Sequence, residues 1–215
     1  MSATTCSAAH KLLRPWPERD CDMVKHALIN YLVFQVGWFA CVWGAASSRP
    51  WLGLIVVACV VALHLLMARR PGREAGLLLV CAAVGLVFES ALLWSGWVAY
   101  PNGSWLPGVA PYWMIALWVL FGTTLNLSMR SLQSRPWLSG VLGAIGGPAS
   151  YLAGQGLGAM SLLQPTPALV ALALGWALML PPLFRVASRL DGFAEPRRPG
   201  FVQTSWRENR VSSHV

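Results

Sequence analysis

The chain has 215 residues, 56% of them hydrophobic and only 11% charged. Soluble domains carry about 25% charged residues, so the deficit excludes an ordinary soluble helical protein. The formal charge of +8 does not argue for nucleic-acid binding, because the basic residues are scattered over short loops and tails, as membrane topology signals are.

Residues 1–26 are polar and charged, with Pro15, Pro17 and the run Glu18-Arg19-Asp20. They contain no apolar core of signal-peptide length, so this segment reads as a cytoplasmic tail and the first span as an uncleaved anchor. Six apolar blocks follow, at 27–45, 51–68, 75–98, 111–129, 137–160 and 167–184. A bilayer core about 30 Å thick takes about 20 apolar residues per helix. The expected fold is therefore all-α: a polytopic membrane protein with a bundle of six transmembrane helices within 27–186. Loops 46–50 and 161–166 are short enough to make their flanking helices antiparallel neighbours. Loop 99–110 is rich in Pro and Gly and uncharged. Its Asn102-Gly103-Ser104 matches a glycosylation acceptor, with nothing else pointing to a glycosylating host. Residues 187–215 are basic, contain Pro196 and Pro199, and read as a mostly disordered cytoplasmic tail.

The basic residues fix an orientation. The N-terminal tail, the 69–74 loop (Arg69, Arg70, Arg73), the 130–136 loop (Arg130, Arg135) and the C-terminal segment hold fifteen of the sixteen Lys and Arg. In an alternating six-span chain all fifteen share one face and Arg49 stands alone on the other. The positive-inside rule places that face and both termini in the cytoplasm. Trp43, Trp51, Trp94, Trp97, Trp105 and Trp113 map near the outer boundary as an aromatic belt, and Trp137 near the inner one. Arg49-Pro50-Trp51-Leu52 and Arg135-Pro136-Trp137-Leu138 open corresponding blocks of the two halves. Independent helix-start and interface preferences explain that match as well as an inverted repeat does.

The fifth block concentrates small residues. Gly146, Ser150, Gly154 and Gly158 recur every four positions, and Ser139, Gly143 and Gly147 form an adjoining ridge. Such ridges let helices approach closely in lipid. Pro148 follows Gly146 and Gly147 about 16 Å into the block, near the bilayer midplane, so a kink or break is expected there. This Gly-rich, Pro-kinked helix is expected at the centre of the bundle.

Glu89 is the acidic residue inside a predicted span, and intramembrane carboxyls usually face the bundle interior. Ser90 is adjacent, and Ser150, Tyr151 and Gln155 fall at comparable depth. A neutral Glu89 hydrogen-bonded to Tyr151 or Gln155 is one reading; proton coupling or binding of a cationic or hydroxylated ligand is the other. Asn30, His64, Thr123 and Asn126 form a second polar layer, within about 10 Å of the cytoplasmic boundary. Interhelical hydrogen bonds or a lipid head-group pocket would account for it. Cys6, Cys21, Cys41, Cys59 and Cys81 include no CxxC pair and read as packing residues. His64 has no second ligand at metal spacing, and no nucleophile–base pair or phosphate loop occurs. No metal or cofactor is therefore expected.

The blocks Asn30–Phe39, Phe88–Trp94, Leu117–Asn126 and Gly146–Gly154 together resemble the bacterial inner-membrane family filed as domain of unknown function 2878, over roughly residues 27–190. Many members have Asp where this chain has Glu89. The resemblance implies a bacterial cytoplasmic membrane location. Lipid-modifying methyltransferase-like and flavin oxidoreductase-like genes accompany the family, which implies an accessory role in lipid modification.

Three function classes follow from the sequence: binding or transport of a small amphipathic or lipid-like molecule; a non-catalytic accessory or scaffold subunit of a membrane-lipid modification system; and an intramembrane enzyme using Glu89. The expected partners are membrane lipids and lipid-modifying enzymes, not nucleic acid. For the topology, a cytoplasm-active reporter is expected to work when fused at 70–73, at 132–134 or after residue 190, and to fail at 102–106. Activity at 102–106 contradicts the six-span orientation.

Overall fold

Proline and glycine punctuate the apolar blocks, and the helices begin and end where they do. The computed structural model describes residues 16–194, which form six α-helices and one pair of two-residue strands. Helix α1 runs Trp16–Ala46, α2 Trp51–Met67 and α3 Pro71–Trp94. Strand β1 (Val98–Ala99) and a loop lead to α4 (Tyr112–Leu125). A 3-10 turn (Arg130–Leu132) precedes α5 (Pro136–Gly156), and strand β2 (Ser161–Leu162) precedes α6 (Pro165–Arg189). Prolines open α3, α5 and α6, in the first turn, where a missing N–H breaks no helical bond.

The chain is a membrane-embedded all-α protein. Val24–Ala46, Pro71–Trp94 and Pro165–Arg189 are long and apolar enough to cross a bilayer. Trp51–Met67 and Tyr112–Leu125 are shorter apolar helices of 17 and 14 residues. The exterior is apolar, with Leu66, Leu178, Val87 and Ile145 largely exposed, a surface that suits lipid rather than water.

The bundle is not organised around α5. Helix α4 is central: ten of its fourteen residues are buried, and it packs against α1, α2 and α3. A helix that is hydrophobic all round belongs in a core. Helix α5 instead pairs with α6. Its Ser139, Gly143 and Gly147 ridge is buried, and a Cβ on Gly143 or Gly147 would overlap Trp176 of α6. The small-residue ridge thus serves one neighbour, not several. The helix also runs unbroken through Gly146-Gly147-Pro148. Gly158 does not continue the other ridge; it lies past the helix end at φ +84°, in the turn toward β2.

The architecture is a four-helix group, α1 to α4, with the α5–α6 hairpin laid against it. Contacts between α3 and α6, and the antiparallel β1–β2 pair with Val98 opposite Leu162 and Ala99 opposite Ser161, join the two. Among the tryptophans of the expected belt, Trp43, Trp51, Trp94 and Trp105 are exposed. Trp113 departs from the belt: it is buried, and its indole N–H donates to the Asn102 carbonyl at 3.0 Å. Asn102 in turn donates its side-chain amide to Ala45 O, so Asn102-Gly103-Ser104 works as a loop fastener. The C-terminal segment is ordered further than its composition suggests, since α6 reaches Arg189 and Asp191 and Gly192 are buried. Residues 195–215 lie outside the described residues.

Two glycines test this packing. A Cβ on Gly53 of α2 would stand 2.7 Å from Cys41 Sγ and 2.9 Å from Cys41 N, whereas a Cβ on Gly146 would meet nothing within 4 Å. Gly53→Ala is expected to destabilise the purified protein by about 1–3 kcal/mol through forced separation of α1 and α2. Gly146→Ala is expected to leave the melting temperature in detergent nearly unchanged.

Candidate functional site

Between the four-helix group and the hairpin lies a cavity of about 580 Å³. That volume is within the ~300–1,000 Å³ typical of small-molecule sites. Helix α1 contributes Phe34, Gln35 and Trp38, α4 contributes Trp118 and Phe121, α5 contributes Gly146, Gly147, Ser150 and Tyr151, and α6 contributes Trp176. The lining is mostly apolar and aromatic, and none of the lining residues is Lys, Arg, His or Asp. Tyr31 and Leu142 line the cavity and are also exposed on the apolar exterior. They mark where the cavity reaches the apolar exterior, between α1 and α5.

Glu89 of α3 sits in the cavity wall, fully buried. Its carboxyl collects three donors from three parts of the chain. The Trp118 indole N–H donates to Oε1 at 2.8 Å, the Tyr100 hydroxyl donates to Oε2 at 2.7 Å, and the Tyr151 hydroxyl donates to Oε1. Burial, and then the neighbouring Glu89 carboxyl, push the Tyr100 phenol in the loop well above its ordinary value, which keeps it protonated and donating. Trp118 stacks on Trp176, with ring centroids 4.7 Å apart and planes 15° from parallel. Gly85, one turn before Glu89, makes room for Trp118, since a Cβ there would overlap the indole.

The structure therefore brings Glu89 and Tyr151 together and leaves their sequence companions elsewhere. Gln155 is not part of the cluster; its Oε1 accepts the Leu162 backbone N–H at 2.7 Å and holds β2. The Ser90 hydroxyl accepts the Ala110 N–H and holds the loop. Ser150 lines the cavity, but its hydroxyl donates to Gly147 O on its own helix. Tyr100, Trp118 and Trp176 join the site without a signal in the sequence strong enough to find them.

The second polar layer is also real, and it holds an acid that the block boundaries had left in a loop. Glu74 lies in the first turn of α3 and is fully buried. Its Oε2 pairs with His64 Nε2 at 2.9 Å, and its Oε1 accepts from Asn126 Nδ2 at 2.8 Å and from the Gly192 backbone N–H at 2.7 Å. Glu89 is thus not alone as an intrahelical acid, and His64 does have a partner. Pro71 was the available cue, because a helix opened by Pro71 carries Glu74 inside it. Asn126 further accepts from Gln133, and Arg130 pairs with Asp191. Asn30 donates to Thr123 O and accepts from the Ser128 hydroxyl at 2.8 Å, while the Thr123 hydroxyl donates to Leu120 O. Apart from the Thr123 hydroxyl, bonded within α4, these groups are bonded between segments, and the bonds account for the layer without a ligand. No cluster of His, Cys, Asp or Glu suited to a metal occurs among the described residues.

The family model described as "Protein of unknown function (DUF2878)" matches residues 27–182. No curated protein and no solved structure matches the chain.

The Glu89 cluster separates shape from hydrogen bonding. Glu89→Gln keeps acceptors for Trp118 and Tyr151, and the Tyr100 hydroxyl can turn to accept. It is expected to fold with a small loss of stability. Glu89→Leu leaves three buried donors unpaired at about 1–3 kcal/mol each and is expected to fail to accumulate, or to melt far below Glu89→Gln in the same detergent.

Proposed function

The chain belongs to this family of proteins of unknown function, and we propose that it binds a small amphipathic or lipid-like molecule inside the membrane. The cavity, lined by residues that are also exposed on the apolar exterior, is the observation that carries the reading. An apolar cleft between helices, with a few polar groups converging at one wall, is the usual form of a ligand site. A cavity that reaches the apolar exterior suits a ligand that arrives dissolved in lipid. The placement proposed with it is a bacterial inner membrane, crossed six times with both termini cytoplasmic, supported by the fifteen basic residues on one face. An accessory scaffold would be better served by a solid core than by this void.

One observation favours a second reading. Tyr100 and Tyr151 place two phenols on the Glu89 carboxyl, and a carboxyl with adjacent phenols could exchange a proton with a bound substrate. Comparison of the native chain with Glu89→Gln distinguishes the two. Under the binding reading both take up ligand and neither alters it; under the acid–base reading the native chain converts the ligand and Glu89→Gln takes it up unconverted.

The binding reading is tested by filling the cavity. Gly146 faces the cavity and open space, so Gly146→Phe is expected to fold normally. Mass spectrometry of lipids retained by protein purified from its membrane is expected to find a class enriched on the native chain and missing from Gly146→Phe. Identical lipid profiles on both proteins overturn the reading.

A further inference from the structure

One buried side-chain polar atom among the described residues has no partner. The Trp176 indole N–H is buried and has no hydrogen-bond partner among the described residues, and Trp176 lines the cavity. Buried N–H groups are paired with few exceptions. Trp105, Trp113 and Trp118 all donate, to Ala110 O, Asn102 O and Glu89 respectively.

The Trp176 ring is not free to turn toward a partner. One face stacks on Trp118, which Glu89 holds in place. Phe121 meets it edge-on at 5.3 Å and 86°. Its Cδ1 edge fits against Gly147, where a Cβ would overlap it. No described residue supplies an acceptor for the N–H beside that edge, and a molecule taken into the cavity that Trp176 lines is the remaining source of one.

The lining narrows the chemistry of that ligand. With no Lys, Arg or His among the lining residues, an anionic head group would be buried unneutralised, which is strongly unfavourable. Glu89 is fully buried and already accepts three hydrogen bonds, so it offers little to an ammonium group. The Ser150 hydroxyl is engaged with Gly147 O. What remains is neutral polar chemistry, from Tyr31, Gln35 and Trp38 in the lining and from the Trp176 N–H, which alone is buried without a partner. We propose that the ligand is an uncharged lipid, an apolar chain bearing a carbonyl or hydroxyl oxygen, and that this oxygen accepts the hydrogen bond of Trp176. The proposal rests on the binding reading above and adds the class of the ligand.

The test uses the full chain in nanodiscs of phosphatidylethanolamine and phosphatidylglycerol, with three photoprobes. Each is a sixteen-carbon chain with the same mid-chain diazirine, ending in a methyl ketone, in plain hydrocarbon or in a primary ammonium. Labelled peptides are located by mass spectrometry. The ketone is expected to label the cavity segments of α1 and α5 about tenfold more than the hydrocarbon, the gain of about one hydrogen bond. The ammonium is expected to label no more than the hydrocarbon. Trp176→Phe keeps an aromatic ring at the position and loses the N–H. It is expected to bring ketone labelling down to the hydrocarbon level while leaving hydrocarbon labelling unchanged. If Trp176→Phe does not fold, the ketone-to-hydrocarbon ratio on the native chain decides alone. Equal labelling by ketone and hydrocarbon, or preference for the ammonium, overturns the ligand class and leaves the binding reading standing. Absence of cavity labelling by all three overturns both.

Discussion

A carboxyl buried out of reach of water must find donors within the protein, and Glu89 draws them from a loop, from α4 and from α5. The bond to Tyr151 crosses the seam between the four-helix group and the hairpin. The bond to Trp118 fixes the indole on which Trp176 of the hairpin stacks. One side chain thereby sets the relation of the two halves and the wall of the space between them. In an apolar solvent the hydrophobic effect does not hold helices together, so packing and hydrogen bonds must do it. The seam relies on both, since the remaining contacts between the halves are few.

Helix α3 carries this load twice. Glu74 gathers His64 of α2, Asn126 just past α4 and the backbone of Gly192 beyond α6, at the end of the bundle that also holds the Arg130–Asp191 pair. Near the other end, Glu89 gathers Tyr100, Trp118 and Tyr151. Two polar knots on one helix pin the ends, and Glu89, Trp118 and Tyr151 of the second also form part of the wall of the void. A carboxyl used this way costs stability if any partner is removed, which makes both knots sensitive to substitution whatever occupies the cavity.

The sequence showed the helices well, because their apolar blocks are long and bounded by proline. It showed Glu89 and Tyr151 as neighbours, because matched depth in two blocks is a strong constraint in a membrane. It did not show which helix is central. The Gly and Ser ridge of α5 says that something packs closely, but the same ridge fits one neighbour or several; here Trp176 fills it. The central helix α4 has no such mark, since a run such as Trp113–Leu125 reads alike whether it faces protein or lipid. Glu74 was hidden by a block boundary set a few residues late, and with it the partner of His64. Tyr100 was hidden because its position depends on how the 99–110 loop folds back, which local pattern does not encode. Trp118 and Trp176 were hidden because nothing in the pattern says which of twelve tryptophans turn inward.

The knots also impose an order on the making of the protein. Glu89 is synthesised before any of its partners: Tyr100 follows 11 residues later, Trp118 after 29 and Tyr151 after 62. Glu74 waits longest, because Gly192 comes 118 residues later, on the order of ten seconds at the usual pace of a ribosome. Until those partners arrive α3 holds first two incompletely paired carboxyls, then one, in a medium that penalises them. The nascent chain must therefore stay within shelter, at the insertion machinery or against its own earlier helices, until the final turn of α6 has been threaded and the last amide delivered.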